Sequence, residues 1–354
     1  MIHLLLYEGF LVRPFEKKIF HFGYRDIVFS LTQLFLSLLL LWLFVSSFQH
    51  ENILESILEC SFEWLGIAVC LKSISLFLRE IRLWMALPTP RPQLLPTMLI
   101  GLFTGALHTF LPMRGGDILS VALLHKKLNI SIPKATFAVG FCAFLEMFVF
   151  GVLAIITLLM TQHLWFHIHD LYTEILSWIS LSTGLGVVIF ALAVLLARIK
   201  APEPEEESPS LLQSMYPQIL QMLRNSVVSR KYIIYNILLT IADVCMMLLS
   251  FACIFNCLHI SCDLPFTVST LILGISAVAA FALPPSYGAG PAASAILVFS
   301  LFQLSEEDAI AYAAIWWVLS QFPSLLFGIP SLWLMKFFGN ADTNKGVDAP
   351  SSSS

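Results

Sequence analysis

The sequence predicts an all-α polytopic membrane protein, with six full transmembrane helices and two re-entrant hairpins arranged as an inverted repeat. Composition is the first reason. Of 354 residues, 58% are hydrophobic and only 12% charged, with a mean hydropathy of +0.84, whereas a soluble globule carries about 25% charged residues to solvate its surface. Second, six apolar runs reach the roughly 20 residues a helix needs to cross a bilayer core: residues 27–45, 62–86, 135–160, 175–197, 232–258 and 309–335. Third, two further apolar runs, 94–111 and 266–283, break off at proline- and glycine-rich sequence.

Loop charges orient these runs, because cytoplasmic loops collect Lys and Arg. Arg13, Lys17, Lys18 and Arg25 place the N-terminal segment inside; Glu51, Glu55 and Glu59 place the next loop outside; Arg82 and Arg91 mark a return to the inside. Were 94–111 a full crossing, Lys126, Lys127 and Lys134 would be external. The bias is met if the segment turns at 112–116 and returns through 118–124, as a re-entrant hairpin. In the second half, Arg198, Lys200, Arg224, Arg230 and Lys231 are inside, Asp263 is outside, and so are Glu306, Glu307 and Asp308, while Lys336 and Lys345 are inside. Segment 266–304 then starts and ends outside, which makes a second hairpin turning at 284–290. Each half reads span, span, hairpin, span, in opposite orientations, the pattern of many transporters whose sites form at broken helices near the midplane. Eight full crossings are the alternative topology.

The chain accordingly divides into a cytoplasmic segment 1–26, a first membrane repeat 27–160, an external loop 161–174, a second repeat 175–335 containing a cytoplasmic linker 198–231, and a disordered cytoplasmic tail 336–354. Residues 200–210 (KAPEPEEESPS) are acidic and proline-bearing, as disordered linkers are; 211–231 continue as an amphipathic surface helix. Residues 2–6 are too short for the apolar core of a signal peptide. Of the seven cysteines, Cys70, Cys142, Cys245 and Cys253 lie in apolar runs as small hydrophobes. Cys60 and Cys262 fall in loops on one side, which is compatible with a disulfide between them, although sequence fixes no connectivity.

The first turn reads Phe110-Leu-Pro-Met-Arg-Gly-Gly-Asp117. Proline ends one half-helix and glycine opens the next, so free N–H groups and a positive helix end lie beside Arg114. With Gly115, Gly116 and Asp117 this forms an anion site for a phosphate or carboxylate; the alternative is an Arg114–Asp117 pair that only stabilises the turn. The second turn, Leu283-Pro-Pro-Ser-Tyr-Gly-Ala-Gly290, offers Ser286, Tyr287, Gly288 and Gly290 without a charge, either as ligand donors or for close packing. Lys72, Glu146 and Asp243 lie well inside spans, where ionisable groups face protein or water. Glu146 or Asp243 either couples a proton or ion, or forms a structural ion pair with Lys72. Arg79, Glu80 and Arg82 read most simply as interfacial anchors, with contact to lipid phosphate second. His108 reads as hydrogen-bonded packing. His163, His167 and His169 lack a completing carboxylate or Cys for a metal site, and no catalytic or nucleotide-binding motif is present.

Three segments resemble the flippase-like family typified by the membrane region of lysylphosphatidylglycerol synthases (UPF0104-type proteins): Leu78-Arg79-Glu-Ile-Arg82-Leu-Trp84, Leu111-Pro-Met-Arg-Gly-Gly-Asp117 and Leu283-Pro-Pro-Ser-Tyr-Gly-Ala-Gly290. The resemblance implies translocation or presentation of a lipid with an anionic or modified head group in the bacterial cytoplasmic membrane. Some members carry a fused aminoacyl-transferase domain, for which this chain has no room, so no enzyme activity is expected. The chain departs from the family pattern at Ser120 and at Ser320–Gln321, where an arginine is frequent, and between Pro291 and Ala295, which lack the usual glutamate. The leading expectation is a lipid flippase holding a head group between the two hairpin turns. A secondary transporter of a small anionic solute, or a non-catalytic subunit docking a partner enzyme through 211–231, are the other readings. No cofactor and no nucleic-acid partner is expected.

Overall fold

The computed structural model describes residues 59–87, 91–108, 115–162, 173–181, 183–184, 186–188, 230–282 and 289–339. Helices carry these segments, and no strand occurs among the described residues. In chain order they are α1 (Phe62–Ala86), α2 (Leu94–Leu107), α3 (Gly115–Leu128), α4 (Ile132–Met160), α5 (Thr173–Val188), α6 (Arg230–Cys257), α7 (Pro265–Ala282), α8 (Ala289–Leu301) and α9 (Glu306–Gly339). Among the described residues, three stretches are both long and apolar enough to cross a membrane: Ile132–Met160, Ile233–Cys257 and Glu306–Met335. At 25 residues, α1 is about 38 Å long. Its length suffices for a crossing, but it carries Lys72 before its midpoint and Arg79, Glu80 and Arg82 in its second half. The expected span at 27–45, most of the linker and the two hairpin turns lie outside the described residues.

Punctuation residues set the helix ends. Ser131 precedes α4 in extended backbone, and Pro133 sits in its first turn, where a missing N–H costs nothing. Asn129 (φ 53°) closes the turn between α3 and α4, and Gln303 (φ 58°) closes the corresponding turn between α8 and α9. The first hairpin is more helical than expected: α2 stops at Leu107, and α3 starts at Gly115 and runs to Leu128. Pro323 and Pro330 lie inside α9, which continues to Gly339, past the expected boundary at 335.

The packing repeats itself. Long, short, short, long describes α1–α4 (25, 14, 14 and 29 residues) and again α6–α9 (28, 18, 13 and 34 residues). Each contact in one set has its counterpart in the other: α1 on α2 and α6 on α7, α3 on α4 and α8 on α9, α2 on α9 and α7 on α4. The two sets meet along α1 and α6, which run antiparallel. The Ser61 N–H donates to the Cys257 carbonyl (2.8 Å) at one end, while Arg82 and Ser75 reach Asp243 further along.

Cys60 is bonded to Cys257, not to Cys262. The pairing with Cys262 that the loops allowed is not the one formed. Cys257 occupies the last position of α6, and the antiparallel packing of α1 on α6 brings it beside Cys60, with Cα atoms 5.1 Å apart, while Cys262 retains a free thiol. The disulfide marks the end of the bundle that carries Glu59, Glu63, Asp263, Glu306, Glu307 and Asp308; Arg91, Lys126, Lys127 and Lys134 lie at the opposite end. A large core at the acidic end includes Phe251, Phe255, Phe299, Tyr312 and Trp316 in ring contact. A smaller core at the basic end gathers Leu83, Leu99, Leu124 and Ala138.

Where α9 crosses α2, Gly328 admits the other helix: a Cβ there would come within 2.6 Å of the Leu102 carbonyl oxygen and would also strike Ala106. Gly328→Ala is expected to lower stability in detergent by about 1–3 kcal/mol through overpacking. Gly105→Ala, with no atom within 4 Å of the added methyl, should be neutral or stabilising in a thermal melt. Alkylation of the unfolded, unreduced chain should label the five cysteines Cys70, Cys142, Cys245, Cys253 and Cys262 by mass, and all seven after reduction. Labelling of Cys60 or Cys257 without reduction would contradict the disulfide.

Candidate functional site

On α1 the residues Lys72, Ser75, Arg79 and Arg82 recur at spacings of three and four, which places them along one side of a helix. That stripe faces inward. Arg82 has no exposed surface and Glu80 is 1% exposed, so neither is the interfacial anchor the sequence suggested: both are held inside the bundle rather than reaching for the membrane surface. Arg82 donates through Nη1 to Asp243 Oδ2 on α6 (2.5 Å) and through Nη2 to the Cys142 carbonyl on α4 (2.8 Å). One helical turn beyond Cys142, Glu146 lies 3.8 Å from the same guanidinium. Ser75, two turns before Arg82 and so on the same side, donates to Asp243 Oδ1 (2.6 Å).

This arrangement changes the expected partners of the buried carboxylates. Asp243 and Glu146 pair with Arg82, not with Lys72, whose ammonium sits over the Phe251 ring, 5.4 Å from its centroid. Longer reach explains it: the planar guanidinium offers donors in two directions and can serve α4 and α6 at once.

Beside this ion cluster the first hairpin packs against α1. His108 caps α2, and its Nε2 lies 3.0 Å from Asp117 Oδ1 in the first turn of α3, a bond that ties the two half-helices together across the turn. The expected partner of Asp117, Arg114, lies outside the described residues. Gly116 is required by the close approach of α3 to α2, since a Cβ there would sit 2.6 Å from the Thr104 carbonyl oxygen and 2.7 Å from the His108 ring. Gly101 is required by Glu80, whose carboxylate occupies the space a methyl would fill.

Between α1, the hairpin and α4 lies a cavity of about 460 Å³. Its polar wall is Arg79, Glu80, Thr104, His108, Asp117 and Ser120, with Arg82 and Glu146 at its back; Met147 and Phe150 of α4 and Leu273 of α7 close the apolar side. Arg79, Arg82, Asp117 and Glu146, singled out from the sequence, thus converge on one space. Asp243 stands behind Arg82, Gly115 and Gly116 open α3, and Lys72 is displaced toward the acidic end. Gly290 falls in the first turn of α8; Arg114, Ser286, Tyr287, Gly288 and the three loop histidines lie outside the described residues. Glu80, Thr104 and Ser120 as wall residues were missed. The signal for Glu80 was present: a carboxylate between two arginines at 79 and 82 points to an interior cluster as readily as to a surface one. Among the described residues no group of three or more His, Cys, Asp and Glu is placed to hold a metal ion.

The sequence profile described as the lysylphosphatidylglycerol synthase TM region matches residues 30–328. No curated protein and no solved structure matched the chain.

The ion cluster makes a thermodynamic prediction. Removing one partner of a buried pair leaves an uncompensated charge, at a cost of about 3–5 kcal/mol, whereas replacing both by apolar groups is often tolerated. Asp243→Ala should therefore lower the unfolding midpoint in detergent strongly, and Arg82→Met combined with Asp243→Leu should recover most of the loss. Equal destabilisation by the single and double variants would show that Asp243 does not compensate Arg82.

Proposed function

Because the chain belongs to the family of lysylphosphatidylglycerol synthase TM regions, and is thus an integral membrane protein of a family tied to lipid modification or transport, we propose that it translocates or presents a lipid whose head group enters the cavity at the first hairpin. The observation that carries this reading is a 460 Å³ space lined by Arg79, Glu80, His108, Asp117 and Ser120 inside an otherwise apolar bundle. Ionisable groups at membrane depth mark substrate paths. Arg79, whose side chain is 38% exposed, supplies a cation for a phosphate; Arg114, next to Gly115 in sequence, is assigned the same role at the turn. Acyl chains remain in the bilayer along the apolar outer faces of α4 and α9, where Met147, Ile156, Trp317 and Trp333 are exposed.

The membrane topology we assign is an inverted repeat with two re-entrant hairpins. Three observations support it. Equivalent helices α1 and α6 are antiparallel, contacts in the two sets match, and α3 and α8, at 14 and 13 residues, are about 20 Å long against a core of about 30 Å. The basic end of the bundle is taken as cytoplasmic, with both chain termini on that side; the disulfide then lies in the oxidising compartment outside a bacterial cytoplasmic membrane, as disulfides require.

The test is lipid movement in liposomes reconstituted with the purified chain, fluorescent phosphatidylglycerol and a neutral fluorescent lipid, read by dithionite bleaching of the outer leaflet. Wild type should expose the anionic lipid, and Arg79→Ala or Arg114→Ala should slow it by about ten-fold or more, the loss of one charge-assisted contact. A wild type that moves no lipid but takes up a small anion would make it a solute transporter. Binding without movement, abolished by deleting 211–231, would make it a docking subunit for a partner enzyme.

A further inference from the structure

One carboxylate of the cavity wall accepts no hydrogen bond among the described residues. Asp243 accepts from Ser75 and Arg82, Glu146 faces Arg82 at 3.8 Å, and Asp117 is bonded to His108. Glu80 accepts no hydrogen bond among the described residues. Its nearest cation is Arg79 Nε at 3.9 Å, beyond hydrogen-bonding distance. Its side chain is 2% exposed, and what surface it has faces the cavity. Gly101 fixes this position, because only a residue without a Cβ leaves room for the carboxylate. The sequence of α2 thus makes space for a buried acid whose described partner is one long ion pair with Arg79.

Among the described groups around it, none brings a cation closer than Arg79. Arg79 and Arg82 come from its own helix, His108 from α2, Asp117 from α3, Cys142 and Glu146 from α4, and Asp243 from α6. From Ala313 to Met335, α9 brings no titratable side chain. Four described carboxylates, Glu80, Asp117, Glu146 and Asp243, stand against the guanidiniums of Arg79 and Arg82 and the ammonium of Lys72. Burying a carboxylate that accepts no hydrogen bond is unfavourable, so a small cation that reaches Glu80 through the cavity would be stabilised there.

We propose that Glu80 is an exchange site for a small cation, a proton or a monovalent metal ion, and that its loading is coupled to head-group movement. The second clause rests on the lipid reading above; the first stands on the geometry of Glu80 alone. The step is reversible binding: the cation passes from cavity water to a Glu80 carboxylate oxygen and leaves by the same path, with no other bond made or broken. No nucleotide-binding motif is present in the sequence, so a gradient of such a cation is the chemical source of drive that this site can use.

Two readouts on the full-length chain test it. Infrared difference spectra of proteoliposomes, taken on pH jumps and separately on sodium jumps, should show a carboxyl band in wild type that is absent from Glu80→Gln and retained by Glu80→Asp. Response to pH alone identifies the proton, and response to sodium at fixed pH identifies the metal ion. Lipid movement should accelerate several-fold under the matching gradient in wild type and become indifferent to it in Glu80→Gln. Gly101→Ala, which displaces the carboxylate without removing it, should shift the band. If the spectra of wild type and Glu80→Gln coincide under both jumps, the site is overturned, whatever the lipid assay gives. If the band depends on Glu80 but wild type moves no lipid, the cation site stands and the lipid reading falls.

Discussion

Arg82 is the constraint around which the bundle is organised. Its guanidinium, sealed from solvent, joins α1 to α6 through Asp243 and to α4 through the Cys142 carbonyl and Glu146. Taking such an ion out of water costs several kcal/mol unless its donors are met on all sides. The cost is offset only if α4 and α6 arrive at the right depth against α1, so the pair selects a register that apolar packing leaves loose. Nε of Arg82 is the donor left without a partner. Everything on the cavity wall inherits this register: Arg79 and Glu80 lie one turn or less from Arg82, and the hairpin docks on the same stretch of α1.

The two halves share a plan but not a chemistry. Counted from the two Leu-Pro turns, Arg79, Glu80 and Arg82 of α1 align with Phe251, Ala252 and Ile254 of α6. The charged set lines a cavity, and the apolar set is buried at the aromatic core near the acidic end. An inverted repeat of identical halves would place two equivalent sites about its axis. Here the charged set of α1 lines polar space, while Phe251 and Ile254 of α6 pack into the aromatic core.

Much of this plan was legible in the chain. Residues 62–86 form α1 end to end, because charged and proline-bearing loops punctuate an apolar run on both sides. The cost of charge in lipid marked Glu146 and Asp243 as groups that face protein or water, and both meet Arg82 inside the bundle. What stayed hidden depended on distance between segments far apart in sequence. Periodicity shows that Lys72, Ser75, Arg79 and Arg82 share a face, but not that α6 is the neighbour or that Arg82 rather than Lys72 reaches Asp243. The disulfide was not legible for the same reason: Cys257 lies in an apolar run whose register against Cys60 only the packed helices define. Glu80 was misjudged because its setting is made by Gly101, an absence of side chain on another helix.

The separation of Arg82 from Asp243 along the chain has a consequence for biosynthesis. The two residues are 161 positions apart. At about 5–20 residues per second, a ribosome needs roughly 10 to 30 s to pass from one to the other. Throughout that interval α1 must reside at the translocon or membrane with its guanidinium uncompensated, a state that a polar helix tolerates poorly. Membrane integration of the first half is thus provisional until α6 emerges, and the chain is most exposed to quality-control proteolysis in that window. The Cys60–Cys257 bond closes only at its end, sealing covalently an assembly that charge pairing has already selected.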